Sequence, residues 1–319
     1  MLSYALRRIL WTIPVLFVCL TILFGLMRVT AQSPIRHAQL LGLSNVAWVK
    51  YGDPRPKSIE ANMKRRLGID RPWHEQYAHY LGSVARLDFG VTYTFPYRTV
   101  NSILREQGPV TLELVLLAFG WAIGLGVPLG IAAALRRGTV FDRAVTFLTG
   151  ATAAMPTFLI GTVLVWLLAV KLRVVPTFGW DGWRAKLLPS FVLSLLPFTV
   201  ITRVLRTEML EVLGRDHVFA ARAKGLRRRR IVGVHTLRPA MIPVLSLAGP
   251  LLGQLVTGLF VVEWIFAIPG IGRYFLASAT AGDYPLTFGL TAVLTMIILA
   301  VNAVSDITLA ALDPRIRDA

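Results

Sequence analysis

Charge is scarce in this sequence. Of 319 residues only 16% are Asp, Glu, Lys or Arg, while 55% are hydrophobic and the mean hydropathy is +0.61. Soluble domains are about one-quarter charged, so this chain lacks the polar side chains to cover a water-facing surface. Such hydrophobicity excludes disorder, and the 26 glycines fall in no three-residue period, which excludes collagen. Cysteine is nearly absent as well. Cys19 stands alone in an apolar run, so no internal disulfide forms and the thiol reads as a small buried hydrophobe. The five histidines include no H-E-x-x-H pair, no G-x-S-x-G elbow occurs, and no G-x-x-x-x-G-K-[ST] loop is present to cradle nucleotide phosphates. Acidic residues are outnumbered two to one, giving a net charge of +17. No groove-reading or base-stacking motif accompanies that charge, so anionic lipid explains it better than nucleic acid.

What is present is a series of six apolar stretches: Ile9–Met27, Gln107–Leu135, Ala144–Val170, Leu187–Thr202, Pro239–Val262 and Tyr284–Ser305. A helix needs about 20 such residues to cross about 30 Å of hydrocarbon. The runs are continuous instead of alternating, which excludes a membrane β-barrel. The expectation is an all-α integral membrane protein with six transmembrane helices, the fourth being the shortest at sixteen residues. The first stretch, nineteen residues after Arg7 and Arg8, exceeds the 7–15 of a signal-peptide core and reads as a retained helix with Pro14 near its start.

Basic residues set the orientation. They divide seventeen to seventeen between the two sides, but ten lie in the 36-residue loop Arg203–Arg238, while twelve are spread over the long segment before the second span. The reading is therefore a cytoplasmic amino terminus and first helix over residues 1–27 and an extracytoplasmic domain over 28–106. A five-helix core follows over 107–312, with a cytoplasmic loop at 206–238 and a cytoplasmic tail at 313–319. Lys171, Arg173, Arg184 and Lys186 remain as outer cations that the rule does not explain. Within the outer segment, Ile59–Leu67 and Trp73–Leu87 read as short helices, the latter with a packing stripe of Trp73, Tyr77, Tyr80 and Leu81.

The most informative segment lies in the inner loop. Asp216 is positioned to cap a short helix, with Phe219, Ala220 and Ala223 on a small apolar face and Gly225 as its left-handed stop. Arg227–Arg230 follow and suit an anionic lipid surface. Small side chains allow close approach, so the composition suggests docking more than catalysis.

Phe219-Ala220-Ala221-Arg222-Ala223-Lys224-Gly225, with His235 ten residues later and Pro243 beyond, resembles the EAA loop of ABC importer permeases, in the form of the dipeptide/oligopeptide/nickel branch. Leu67–Pro72, Asp88-Phe89-Gly90, Gly108–Glu113, Val262–Phe266, Pro269–Gly272, Asp283-Tyr284-Pro285 and Leu312–Arg315 carry the resemblance along nearly the whole chain. Three positions depart from the pattern: Phe219 replaces a glutamate, Arg238 precedes Pro239, and Leu87 stands where glycine precedes Asp88. The resemblance implies a type I ABC importer permease fold and a subunit that is not itself catalytic. It implies pairing with a second homologous permease, two cytoplasmic ATPases that bind ATP and Mg, and an extracytoplasmic solute-binding protein that delivers a peptide. It also assigns Phe219, Ala220, Ala221, Arg222, Ala223, Lys224, Gly225 and His235 to ATPase coupling.

Glu113, Glu263 and Asp306 lie in or near apolar stretches and each needs a partner, a cavity or an interface. Glu113 reads as a cavity residue or a helix-start carboxylate, Glu263 as a gate or outer-loop contact, and Asp306 as interfacial. Two rival functions remain: a secondary transporter coupling protons through Glu113 and Asp306, or a membrane scaffold. Gly120/Gly124, Gly126/Gly130 and Gly249/Gly253 are expected to mark close helix contacts. Pro156, Pro197, Pro243 and Pro250 are expected to interrupt helices.

Overall fold

The computed structural model describes residues 2–30, 71–92 and 98–312. The Ile59–Leu67 helix, the Leu67–Asp70 part of the family pattern and the 313–319 tail lie outside them. Long apolar runs without water to solvate their backbone fold as helices, since each peptide group then finds its partner within the segment. The described helices are α1 Leu2–Thr30, α2 Trp73–Ala85, α3 Val100–Leu135, α4 Val140–Ala154, α5 Thr157–Leu164, α6 Trp183–Leu213, α7 Asp216–Ala223, α8 Leu237–Ser246, α9 Ala248–Ile265, α10 Ile271–Ala281 and α11 Tyr284–Leu312. Among the described residues the strand-like pairing is a single antiparallel bridge between Val91 and Thr99. The chain divides into two compact units, one of residues 1–12, 107–273 and 297–319, the other of residues 13–106 and 274–296.

In the first unit α6 is the buried centre, packed by α4, α5, α8 and α9, with Val192, Leu205 and Met209 fully enclosed. It is the most buried of the described candidate spans, which lets its sequence carry polar residues. Ser190, Ser194 and Thr202 are buried, and their hydroxyls donate to carbonyls one turn back, at 2.5 Å to Lys186, 2.6 Å to Phe191 and 2.8 Å to Phe198. A helix shielded by protein tolerates such residues, whereas one facing lipid pays for them. The sixteen-residue stretch thus becomes a 31-residue helix, and neither Pro189 nor Pro197 breaks it. Helix α3 approaches α6 through glycine. A Cβ on Gly126 would stand 3.0 Å from Ile201 Cγ2, and one on Gly130 would stand 3.0 Å from the Thr202 carbonyl. Gly249 meets Asn302 and Ser305 in the same way, whereas Gly120 and Gly124 face open space and mark no contact.

The third apolar stretch is not one rod. Met155 is extended before Pro156, as steric clash with a following proline favours, and α4 and α5 diverge by 108°. Helix α5 runs on into a wider π-helical turn, Val165–Lys171. The fifth stretch is also split at Leu247, leaving α9 as the long segment. Pro250 is its third residue, where no intrahelical acceptor is lost, and Pro243 sits inside α8.

In the second unit α2 packs on α1 and on α11 through Leu20, Val84 and Ala292, with Tyr80, Leu81 and Phe89 around them. Phe24 lies between Tyr77 and Tyr80, with ring centroids 5.1 and 5.7 Å away. The aromatic stripe of α2 is therefore packing, except that Trp73 is exposed. Helix α2 ends with Leu87 in the left-handed region at φ 56° while the Asp88 amide donates to the Ser83 carbonyl at 2.9 Å. That is the position where the resembling family has glycine, and the backbone angle is the physical reason.

Candidate functional site

Two ion pairs mark the two ends of α6. Near its carboxyl end Arg206 donates from Nε to Asp142 Oδ1 at 2.6 Å and from its terminal nitrogen to Oδ2 at 2.9 Å. Asp142 lies in the first turn of α4 and also accepts the Gly138 amide at 2.9 Å, while Thr139 caps that helix. Near the amino end Lys186 donates to Glu113 Oε1 at 2.6 Å, and Trp180 Nε1 donates to Oε2 at 3.0 Å. Twenty residues separate Lys186 from Arg206, about 30 Å of helix and close to the thickness of a hydrocarbon core. The chain enters α4 at the Arg206 end and returns by Trp180 at the Lys186 end. The bent α4–α5 pair therefore crosses the bundle and does not re-enter on the same side. Arg8 pairs with Asp306, and the Gly249 amide donates to Ser305 Oγ at 3.0 Å, which joins α11 to α1 and to the start of α9. Among the described residues five helices are long and apolar enough to span a bilayer, six with the bent α4–α5 pair counted as one span.

At the Arg206 end, α6 turns at Gly214 into α7. Asp216 does not cap this helix; Arg215 occupies the cap position and Asp216 is its first-turn acid, favourable to the helix dipole. Gly225, at φ 74°, closes α7. Its amide donates to Arg222 and the Leu226 amide to Ala221, the paired bonds of a glycine-stopped helix. Side-chain placement differs from the sequence expectation in one respect. Val218 and Ala221 are the buried pair, packed with Leu226 and Ile231, because i and i+3 share a helical face. Phe219, Ala220, Arg222, Ala223, Lys224 and Gly225 are exposed, and the Arg222 guanidinium lies 5.7 Å from the Phe219 ring centroid. Ala221 thus faces this chain's own core. His235 lies in the π-helical turn Ile231–Thr236, and its carbonyl is 3.3 Å from His217 Nε2. That contact ties the loop's return path to α7.

At the opposite end the two acidic candidates separate. Glu113 is more than three turns inside α3, which begins at Val100, so it is not a helix-start carboxylate. It lines a cleft of about 690 Å³ between α3 and α6, with Leu116, Leu117, Gly120, Trp121 and Gly124 on one wall and Trp183, Lys186 and Ser190 on the other. Trp121 Nε1 donates to Ser190 Oγ at 3.2 Å across that cleft. Glu263, by contrast, is fully buried. Thr111 Oγ1 donates to its Oε1 at 2.7 Å and accepts the Ile271 amide at 2.8 Å; the Arg273 amide donates to Oε2 at 3.1 Å. Glu263 therefore caps the first turn of α10 from the end of α9. A side chain on Gly270 would collide with its carboxylate. In this arrangement it anchors the turn between α9 and α10.

Residues 126–318 match the family described as binding-protein-dependent transport system inner membrane component. The chain belongs to that family. It is 36% identical to the oligopeptide transport system permease protein OppB of Escherichia coli (strain K12), over 99% of this chain and 100% of the relative. It is 33% identical to the dipeptide transport system permease protein DppB of Lactococcus lactis subsp. cremoris (strain MG1363), over 99% and 100%, and to that of Bacillus subtilis (strain 168), over 99% and 98%. The inward-facing MetNI methionine ABC transporter shares the fold, with a TM-score of 0.56 at 16% identity over 66% of this chain and 96% of that one. The protein is thus an all-α, multi-pass permease component of an ABC importer, and ATP hydrolysis belongs to other subunits of such systems.

Sequence reasoning missed Asp142–Arg206, because the two lie 64 residues apart and no local pattern links them. It also missed the partner of Glu113, although a signal existed. Lys186 was one of four outer cations that orientation did not explain, and ion pairing with a carboxylate in the neighbouring span accounts for it. Lys171 and Arg184 rest over the rings of Trp166 and Trp183, each 5.5 Å from the centroid. Such stacking holds long basic stems at an interface.

Proposed function

We propose that this chain is one of two permease subunits of an ATP-driven, binding-protein-dependent importer for dipeptides or oligopeptides. The observation that carries the reading is full-length identity of 33–36% to oligopeptide and dipeptide permeases. In this reading the Arg206 end is cytoplasmic, the 28–106 segment is extracytoplasmic, and both termini face the cytoplasm. The loop over residues 206–238 receives force from two ATPases that bind ATP and Mg. The exposed side of α7 (Phe219, Ala220, Arg222, Ala223, Lys224 and Gly225) meets them, while Ala221 and His235 hold the loop on the bundle. A second homologous permease completes the path, and an extracytoplasmic solute-binding protein delivers the peptide.

The buried face of α7 makes this more specific than an anchoring surface. Motion imposed on α7 reaches Val218 and Ala221, then Ile231 and the lower part of α6, through side chains already in van der Waals contact. The proton-coupled alternative gains nothing from the geometry, since Glu113 and Asp306 are each committed to a cation. The test is reconstitution with the co-purifying ATPases, second permease and binding protein. Peptide uptake should require ATP and stop when Ala223 is replaced by Trp with the assembly intact. Uptake that persists without the ATPases and collapses with the proton gradient would overturn the proposal. Thiol labelling of Ala223→Cys, in a Cys19→Ser background, should succeed only from the cytoplasmic side.

A further inference from the structure

The cleft between α3 and α6 has the wrong floor for a structural ion pair alone. Its walls are Leu116, Leu117, Leu125, Leu187, Trp121 and Trp183, yet it holds one carboxylate and one ammonium in contact. Both ions keep access to the open volume: the Glu113 side chain is 44% exposed and that of Lys186 26%. A pair this open to solvent adds little to stability. The arrangement around it is also asymmetric. Trp180 Nε1 holds the second oxygen of Glu113, and the Trp180 ring lies 5.4 Å from Lys186 Nζ. Either ion can therefore lose its partner in the pair and still keep an oriented contact to indole. The volume, about 690 Å³, falls within the range of small-molecule sites. Gly120 and Gly124 add to that room, because nothing lies within 4 Å of where their side chains would be.

We propose that this cleft is a transit site for a zwitterionic solute, whose ammonium exchanges onto Glu113 while its carboxylate exchanges onto Lys186. This deepens the peptide-importer reading and rests on it. The exchange keeps every charge compensated at each stage: one internal ion pair opens as two solute–protein pairs form, with no proton moved and no net charge brought into the apolar cleft. A solute with one free terminus leaves either Glu113 or Lys186 without its counter-ion, and a doubly capped peptide offers neither exchange. The site therefore selects for free termini, while the leucine and tryptophan walls accept varied side chains.

The experiment uses the assembled complex in proteoliposomes, with Cys19→Ser and Leu117→Cys as a reporter on the cleft wall. The rate of thiol alkylation is measured during ATP turnover with a mixture of alanine peptides of two to five residues. A parallel measurement uses the same peptides acetylated and amidated. Free-ended peptides are expected to slow alkylation about tenfold, and Lys186→Met should abolish that protection, as follows from losing one charge-assisted contact. Protection by capped and free peptides alike would make the cleft a plain apolar groove and overturn the exchange. Uptake of free peptides with no change in alkylation would overturn it too, leaving the importer reading intact. A reporter that reacts in the isolated subunit but never in the resting complex would mean that the partner permease fills the cleft, again overturning the proposal. Absence of ATP-dependent uptake of any peptide would sink the importer reading itself.

Discussion

Replacing Arg206 by Met tests whether the pair at the α4–α6 junction holds the bundle together. Asp142 is 5% exposed and accepts three hydrogen bonds, two from Arg206 and one from the Gly138 amide. Removing the guanidinium leaves a buried carboxylate with one backbone donor. Stripping one partner from a buried pair costs roughly 3–5 kcal/mol. Arg206 keeps 25% exposure, so water can enter where it was, which favours the low end, about 3 kcal/mol. Asp142→Asn removes the charge but keeps an acceptor for Gly138, so it should cost less, about 1.5 kcal/mol. The double variant no longer buries an unpaired ion and should cost less than Arg206→Met alone, giving a coupling of about 1.5 kcal/mol or more between the sites. The assay is reversible unfolding of the purified subunit in detergent, with all four proteins compared in one lipid mixture. If Arg206→Met and Asp142→Asn prove additive within about 0.5 kcal/mol, the pair is not acting as a buried unit and the reasoning fails.

Four further outcomes can be measured separately. Gly126→Leu should wedge α3 off α6 and cost assembly yield, since its Cβ already meets Ile201 and the Phe198 carbonyl, whereas Gly124→Ala should be tolerated; equal yields would contradict the packing. Gly270→Ala should lower the melting point by disrupting the Glu263 cap, and Glu263→Gln should be milder because Thr111 can still donate to it. Leu87→Gly should not destabilise, because relief of the left-handed strain, about 1–2 kcal/mol, offsets the entropy that glycine loses, about 0.5–1 kcal/mol. Burial, with Tyr77 nearby, pushes the Tyr80 hydroxyl up from 10.0 to about 12. The folded chain therefore holds that proton where the unfolded chain has lost it, so stability is complete below pH 10 and declines as pH rises through 12. Tyr80→Phe should remove that decline, and since the buried hydroxyl has no hydrogen-bond partner among the described residues the variant should match or exceed the parent in melting point.

Composition and hydrophobic periodicity decided the class of this protein before any coordinates. Six long apolar runs can only be helices in a membrane, since an apolar segment of that length has no other way to satisfy its peptide groups. The glycine at position 225 was legible for the same local reason: a helix must stop, and only a residue without Cβ takes the left-handed angle freely. Tertiary structure alone decided which helix is central, and it chose α6, whose buried Ser190, Ser194 and Thr202 are tolerated because a span wrapped in protein need not satisfy lipid. It decided that Ala221 turns inward, since burial depends on what lies across from a face and not on the residue itself. Above all it brought together Glu113 with Lys186 and Asp142 with Arg206, pairs 73 and 64 residues apart. Coulomb attraction acts through space, and no pattern along a chain reports which charges will meet.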